Sequence, residues 1–356
     1  MKRVLIPYKK KVLLHKFVTF ALFLAFLAVT CSGCSSPNAK ISKSDFYFDT
    51  VITITLYQTN DASIIDECFQ LADYYEKLLS NKIEESDISK INAAAGSYVT
   101  CKDETIEILK KSITYSEASS GAFDVTIGKL CDLWNFSEIS AETEDHKVDA
   151  SFLPDRKKLE ECISHVNYQN IVIDENRVCL LDPECEIDLG AIAKGYIADQ
   201  MQAFLLEKGV TSGIINLGGN IKTIGPKADH TGYTVGIQKP FAPTGESLIK
   251  VFLSNGSVVT SGIYERYFTV DGVIYHHILD PRTGYSIEND LASVTIINQC
   301  SMDGDALSTT CFLLGKDAAM EYIEALADTE AIFIDTKNQI YTTSGLQEGT
   351  DYQILQ

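Results

Sequence analysis

Along residues 46–57, FYFDTVITITLY, apolar and polar positions alternate around Thr53 and Thr55, and β-branched side chains dominate, so the pattern predicts a strand. The spacing then lengthens. Over residues 61–79 the apolar positions are Ile64, Ile65, Cys68, Leu71, Ala72, Tyr75, Leu78 and Leu79, which is the period of an amphipathic helix. A second such helix is predicted over 103–118, through Ile106, Leu109 and Ile113, ending before Gly121. Residues 137–153 are acidic and aperiodic and predict a surface loop. Pro154 suits the start of a short helix reaching Ser164, and a hairpin with strands 169–174 and 178–181 follows. A long helix over 191–208 stops at Gly209, and residues 213–270 read mostly as strands up to a tight turn at Asp271-Gly272. Helices over 302–314 and 317–326 precede a last hairpin turning near Asn338. Antiparallel hairpins with a few long helices predict an α+β fold of mixed, mostly antiparallel sheets rather than a doubly wound parallel sheet.

The first residues change the setting. MKRVLIPYKKKVLLHK carries six Lys or Arg and no acid, and it runs into FVTFALFLAFLAVT, an apolar stretch too short to span a bilayer comfortably. Small residues then precede Cys34, and the polar run SSPNAK follows, an arrangement similar to a bacterial lipoprotein signal with Cys34 as the lipidated residue. Residues 1–33 are thus expected to be the signal, 34–45 a tether, 46–345 a single domain and 346–356 a tail. The alternative is an uncleaved anchor helix, and on either reading the protein is held at the membrane on its extracytoplasmic face.

Setting residues 1–33 aside takes the formal net charge from −19 to −25, because they hold six of the thirty Lys and Arg and none of the forty-nine acids. Nucleic acid is therefore a poor partner. An anionic ligand would have to be met by local devices: helix amino-termini, metal ions and single basic side chains. Eight cysteines remain beyond the leader, irregularly spaced and without a CxxC pair, and most read as small buried apolar residues.

Four Gly- and Asp-rich segments lie at element boundaries, where ligands are usually met: SSGAFDV at 119–125, DLGAIAKGY at 188–196, NLGGN at 216–220, and HILDPRTG from His277, leading on to DALSTT at 305–310. Asp305 near the start of its helix and Thr309 four residues on put two oxygens on one face, a set suited to Mg²⁺, which keeps waters and substrate phosphates as its other ligands. The plain alternative makes Asp305 an N-cap and Thr309 a core residue. Asp188 stands at a strand end, a free Ala191 carbonyl could reach a metal, and Lys194 could neutralise a phosphate; equally, Asp188 could cap and Lys194 could be solvated. Only one of His276 and His277 can face a given site, and a histidine there could take a proton from an attacking hydroxyl. Arg282 is open to a phosphate or a turn-stabilising role, Phe123 to core or flavin stacking, and the NLGGN glycines to a turn or a ligand wall.

Taken in order, FDTVITITLY, SDISKIN, SSGAFD, DLGAIAKG, INLGGN, VGIQKP, VTSGIYERYF, HHILDPRTG and DALST resemble the ApbE family of FAD:protein FMN transferases, over about residues 46–345. The resemblance implies a T-fold-like α+β domain that takes FAD with Mg²⁺ and moves FMN onto a protein Ser or Thr through a phosphoester, releasing AMP. By motif, the metal would be held by the Ala191 carbonyl, Asp305 and Thr309. FAD contacts would come from Phe48, Ala122, Phe123, Asp124, Asp188, Lys194 and His277. The catalytic pair would be His277 and Asp305, with His277 as the base and Asp305 or Asp188 as alternatives. Phe48 stands where the family often has Met, and Lys82 where an aromatic residue is common. The family's acceptor pattern, D-G-x-[ST]-G-A-[ST], follows neither Asp271-Gly272 nor Asp303-Gly304, so the implied acceptor is a separate exported or membrane redox protein. Hydrolysis of FAD to FMN and AMP, or simple flavin binding, are the rival readings.

Overall fold

The computed structural model describes residues 40–142 and 146–355; the apolar leader and Cys34, with the anchor they imply, lie outside the described residues. Eight strands form one sheet in chain order: Lys40–Tyr47, Thr50–Tyr57, Gly213–Leu217, Asn220–Ile224, Gly256–Gly262, Leu291–Asn298, Glu330–Asp335 and Ile340–Thr342. Every adjacent pair is antiparallel, so the α+β expectation holds. Period-two alternation sorts the side chains. Ile52, Ile54 and Leu56 turn to one face, where the helices Ser63–Leu79, Ala193–Glu207, Ser301–Leu314 and Lys316–Glu324 cover them. Each such side chain fully withdrawn from water contributes about 1.5–3 kcal/mol. The opposite face of the later strands packs Val258, Ile332 and Ile334 against a three-stranded sheet of Tyr233–Gln238, Ser247–Leu253 and Tyr352–Ile354. Covered on both sides, Leu291–Asn298 is apolar almost throughout.

The predicted 46–57 strand is two strands. Phe48 and Asp49 both take φ of 54°, forming a two-residue turn that pairs Tyr47 with Thr50. The expected 137–153 loop includes the helix Phe136–Glu142, because Phe136 stacks on Trp134 at 5.2 Å and Ser140 Oγ donates to the Tyr267 carbonyl. Tertiary packing there overrides a polar local pattern. Beyond residue 345, Tyr352–Ile354 is a strand with Tyr352 buried, not a loose tail. The helices predicted over 61–79, 103–118 and 191–208 appear as Ser63–Leu79, Asp103–Ala118 and Ala193–Glu207. All eight cysteines of the described residues are free thiols, five of them buried. Among these residues no helix is long and apolar enough to cross a membrane.

The helices Ala193–Glu207 and Ser301–Leu314 lie in close contact at the centre of the helical layer. Gly195 makes the approach possible, since a Cβ there would stand 2.1 Å from the Ser301 carbonyl oxygen and 2.7 Å from Met302 Cα. Gly195→Ala is expected to destabilise the protein by about 1–3 kcal/mol, because the obstacle is backbone and only a helix shift relieves it. Urea unfolding measures this; a variant as stable as its parent would mean that the helices are not so closely held.

Candidate functional site

The DLGAIAKG segment is held from both ends. The Asp188 N–H donates to the Val125 carbonyl at 2.8 Å, which seats the segment beside the 122–125 run. Asp188 Oδ1 accepts from the Gly190 N–H at 2.7 Å, and Oδ2 accepts from Asn81 Nδ2 at 2.9 Å. With the turn fixed, the half-buried Lys194 folds back and donates from Nζ to the Gly190 carbonyl at 2.9 Å. Its ammonium thus sits over the loop rather than in open solvent.

The next residue carries the most informative bond in the site. In a regular helix the Gly195 N–H would donate to the Ala191 carbonyl four residues back. Here it donates to Asp305 Oδ2 at 2.9 Å, so the Ala191 carbonyl lacks its helical donor among the described residues. Asp305 is not the N-cap that the plain sequence reading allowed. It is the fifth residue of Ser301–Leu314, buried at 4% exposure, with Oδ1 unengaged by any described hydrogen bond. Thr309, one turn on, is partly exposed between buried neighbours, and its hydroxyl lies 3.2 Å from Ser261 Oγ. Among the described residues no three His, Cys, Asp or Glu side chains gather as a metal cluster. One carboxylate, one carbonyl deprived of its donor and one hydroxyl are instead the sparse, hard-oxygen set that Mg²⁺ accepts when a substrate supplies the rest. The residues present fit that ion.

Across from this set the chain returns through Gly262 to Glu265 and Arg266. His277 donates its backbone N–H to the Arg266 carbonyl at 3.1 Å, and its Nδ1 lies 3.3 Å from the same oxygen. A proton on Nδ1 would point there and leave Nε2 with a free lone pair. Burial, then the charges of Arg266, His276 and Lys194, hold His277 down to about 3, so it does not titrate near neutral pH as the sequence suggested a histidine would. Glu265 is raised by burial against the pull of Lys194 and Arg266. The Cys131 thiol is pushed well up by burial and then by the neighbouring Asp188 and Asp132.

Asp188 and Lys194 are thus tied to the Gly190 loop, Asp305 is joined to the same segment through the Gly195 amide, and the Lys194 charge is near enough to bear on His277. The Phe48 N–H donates to Glu76 Oε1 at 2.6 Å, in the helix that precedes Asn81, the residue bound to Asp188. The 122–124 run adjoins Asp188 through backbone, but its side chains serve the fold. Phe123 is core, edge-on to Tyr115, and Asp124 accepts from Thr126 and from the Tyr168 N–H. Ala122, Phe123 and Asp124 are all buried. Arg282 pairs with Asp280 through two bonds of 2.9 and 3.0 Å and stabilises its turn. Gly218 and Gly219 of NLGGN form a hairpin turn, with Gly218 against Thr50 beside the Phe48 tip. Lys82 is tied to Asp132. Sequence reasoning passed over Asn81, Ser261 and Arg266; the last two sit inside the quoted run VTSGIYERYF, which was the available signal.

Comparison with known proteins shows the family. The ApbE family is matched over residues 48–333. A protein named FAD:protein FMN transferase from Klebsiella pneumoniae (strain 342) is 37% identical over 307 residues, covering 85% of this chain and 92% of its own. One of the same name from Treponema pallidum (strain Nichols) is 30% identical over 337 residues, covering 89% and 90%. The crystal structure of the ApbE protein from Thermotoga maritima is similar with a TM-score of 0.77 and 30% identity, over 86% of this chain and 98% of that one. The flavin transferase ApbE from Vibrio cholerae gives 0.75 and 25% over the same shares.

His276, next to the site residue and 5% exposed, is held by burial at about 4 against an ordinary 6.5. Below pH 6.5 the unfolded chain takes up a proton that the folded chain refuses, so stability falls as pH drops from 6.5 toward 4; above 6.5 the residue has no such effect. His276→Gln should remove up to about 2 kcal/mol of the loss between pH 6.5 and 5. Urea midpoints of parent and variant across that window test this, and parallel curves would refute it.

Proposed function

The chain belongs to the ApbE family, and from that premise we propose that it is an FAD:protein FMN transferase whose diphosphate site is built on Ala191, Lys194, Asp305 and Thr309. The observation that supports this placement is the Gly195 amide turned onto Asp305, which frees the Ala191 carbonyl beside a buried carboxylate.

Transfer breaks the phosphoanhydride between the FMN and AMP halves of FAD and forms a phosphoester to the acceptor Ser or Thr oxygen; AMP leaves with the bridging oxygen, and the hydroxyl gives up its proton. Mg²⁺ held by the Ala191 carbonyl, Asp305 and Thr309 would draw charge from the diphosphate oxygens as the bond breaks. Lys194, fixed over the loop by Gly190, supplies a second positive charge at the start of a helix whose first amides also favour anions. Gly190, exposed and without a side chain, lets the diphosphate come close. His277, with Nδ1 toward the Arg266 carbonyl, offers Nε2 to the attacking hydroxyl. Cys34 would tether the enzyme to the extracytoplasmic face of the membrane, within reach of an exported or membrane redox protein bearing the acceptor residue.

Mixing the full chain in detergent with FAD, Mg²⁺ and an acceptor-motif peptide should add the mass of one FMN to the peptide and release AMP. AMP with an unmodified peptide would instead indicate hydrolysis, and neither product would indicate binding alone. Asp305→Ala should abolish turnover, because the Gly195 amide can then close on the Ala191 carbonyl and two ligands are lost together; full residual turnover would remove the metal assignment.

The Arg266 and Lys194 charges that depress His277 are those an anionic diphosphate would offset. The acidic limb of catalysis, where the base takes up its proton, should therefore lie at higher pH in kcat, which reports the bound complex, than in kcat/KM, which reports the free enzyme. Superimposable profiles would argue against His277 as the base.

A further inference from the structure

Two carboxylates cross between the same pair of helices in opposite directions. Asp305 of Ser301–Leu314 accepts the Gly195 amide of Ala193–Glu207. Asp199 of Ala193–Glu207 accepts the first-turn amides of the other helix, from Ser301 to Oδ1 at 3.0 Å and from Met302 to Oδ2 at 2.9 Å. Neither helix has a side-chain cap of its own at this end. Each is capped from within its neighbour.

Asp199 is further held by Cys300 Sγ at 3.3 Å and by Lys222 Nζ at 2.8 Å. Lys222 is 2% exposed on a central strand, and its ammonium also donates to the Gln299 carbonyl, just before the helix begins. A lysine so placed would leave an uncompensated buried charge without Asp199, and Asp199, itself partly exposed, would without Lys222 keep only the helix amides and the thiol as partners. The thiol stays a donor, since burial pushes Cys300 up to about 12. The strand, the loop before the second helix and both helix starts are thereby pinned at one point.

The geometry points to Asp199, braced by Lys222, as a positioning residue for the proposed magnesium site: it fixes the register of the two helices so that the Ala191 carbonyl, Asp305 and Thr309 converge. The argument rests on the metal site proposed above. Asp199 touches none of the three ligands; it holds the amino-terminus of the helix that carries two of them against the helix whose first turn leaves the third exposed. Outer-sphere partners of this kind change metal affinity about 10–100-fold when altered.

The test uses the full chain in detergent and Asp199→Asn, which keeps the size of the side chain and discards its charge. Mn²⁺, as a paramagnetic stand-in for Mg²⁺, is titrated in the presence of FAD and read by electron paramagnetic resonance. FAD affinity without metal is read separately by flavin fluorescence. The expected result is a weakening of metal binding by at least 10-fold with metal-free FAD affinity changed by less than about 2-fold. A merely structural role would weaken both alike or neither, and either pattern overturns the assignment. Should the variant not fold, hydrogen exchange on the parent decides: metal and FAD together should slow exchange in the 193–199 and 300–306 segments in parallel. A response confined to the first segment overturns the proposal. FMN transfer is assayed on the parent alone. A parent that transfers FMN while the Asn variant keeps its metal affinity refutes the positioning role only; a parent that binds the metal in an Asp199-dependent way but transfers no FMN refutes the function only.

Discussion

One hydrogen bond, from the Gly195 amide to the Asp305 carboxylate, decides what this site can be. It takes the donor that would have closed the first turn of the 193–207 helix and gives it to a side chain of another element. The consequence is a main-chain carbonyl, that of Ala191, held at a helix start without the partner helical geometry would give it. A carbonyl in that condition costs free energy unless water or a cation meets it. The bond can form only because residue 195 has no Cβ, since any larger residue would strike the Ser301 carbonyl. A glycine, a carboxylate and a carbonyl thus make one unit, and none has its meaning without the others.

The sheet supplies the rigidity on which that unit depends. Its later strands are covered by helices on one face and by a three-stranded sheet on the other, so Leu291–Asn298 and Glu330–Asp335 are fixed by packing from both sides. The helix bearing Asp305 and Thr309 lies on Leu291–Asn298 and Gly256–Gly262, and Ser261, at the end of the latter strand, touches Thr309 directly. The buried ammonium of Lys222 projects from the same sheet into the helix junction. Asp188 and His277 lie in loops and Lys194 at a helix start, while Asp305 and Thr309 sit on a helix that has little freedom to move.

Much of this was legible from residue patterns, and the exceptions share a cause. The long amphipathic helices were readable because their apolar period is unbroken, and the Asp271-Gly272 turn because both residues tolerate positive φ. The turn at Phe48-Asp49 was hidden because phenylalanine rarely adopts positive φ, and only the pairing of Tyr47 with Thr50 reveals it. The helix Phe136–Glu142 depends on Trp134 and Tyr267, neither visible from its own acidic sequence. At the site, residues in glycine-marked runs were found, whereas Asn81, Asp199, Ser261 and Arg266 were not. Asn81, Asp199 and Ser261 act through Asp188, Ser301 and Thr309, each 48 or more residues away, and Arg266 through His277, 11 residues on, and no local pattern encodes such partnerships. The 122–124 run, implied as a set of FAD contacts, has all three of its residues buried.

The depressed basicity of His277 bears on how so acidic a chain meets a doubly negative dinucleotide. Net charge acts at long range and is screened within about 10 Å of solution at ordinary salt; the field inside a half-enclosed cleft is set by its nearest groups. Beyond burial, the influences that lower His277 are the positive charges of Arg266 and Lys194 and the adjacent His276. Burial is the largest influence, and the two cations add a positive potential in the same direction. The same potential lowers the free energy of a phosphate placed there. Acids crowd the sequence as a whole, with forty-nine against thirty bases, yet Lys194 and Arg266 remain turned toward this cleft. On the proposed mechanism, an anion that meets Lys194 and Arg266 offsets the part of the depression of His277 that is theirs, while the part due to burial stays.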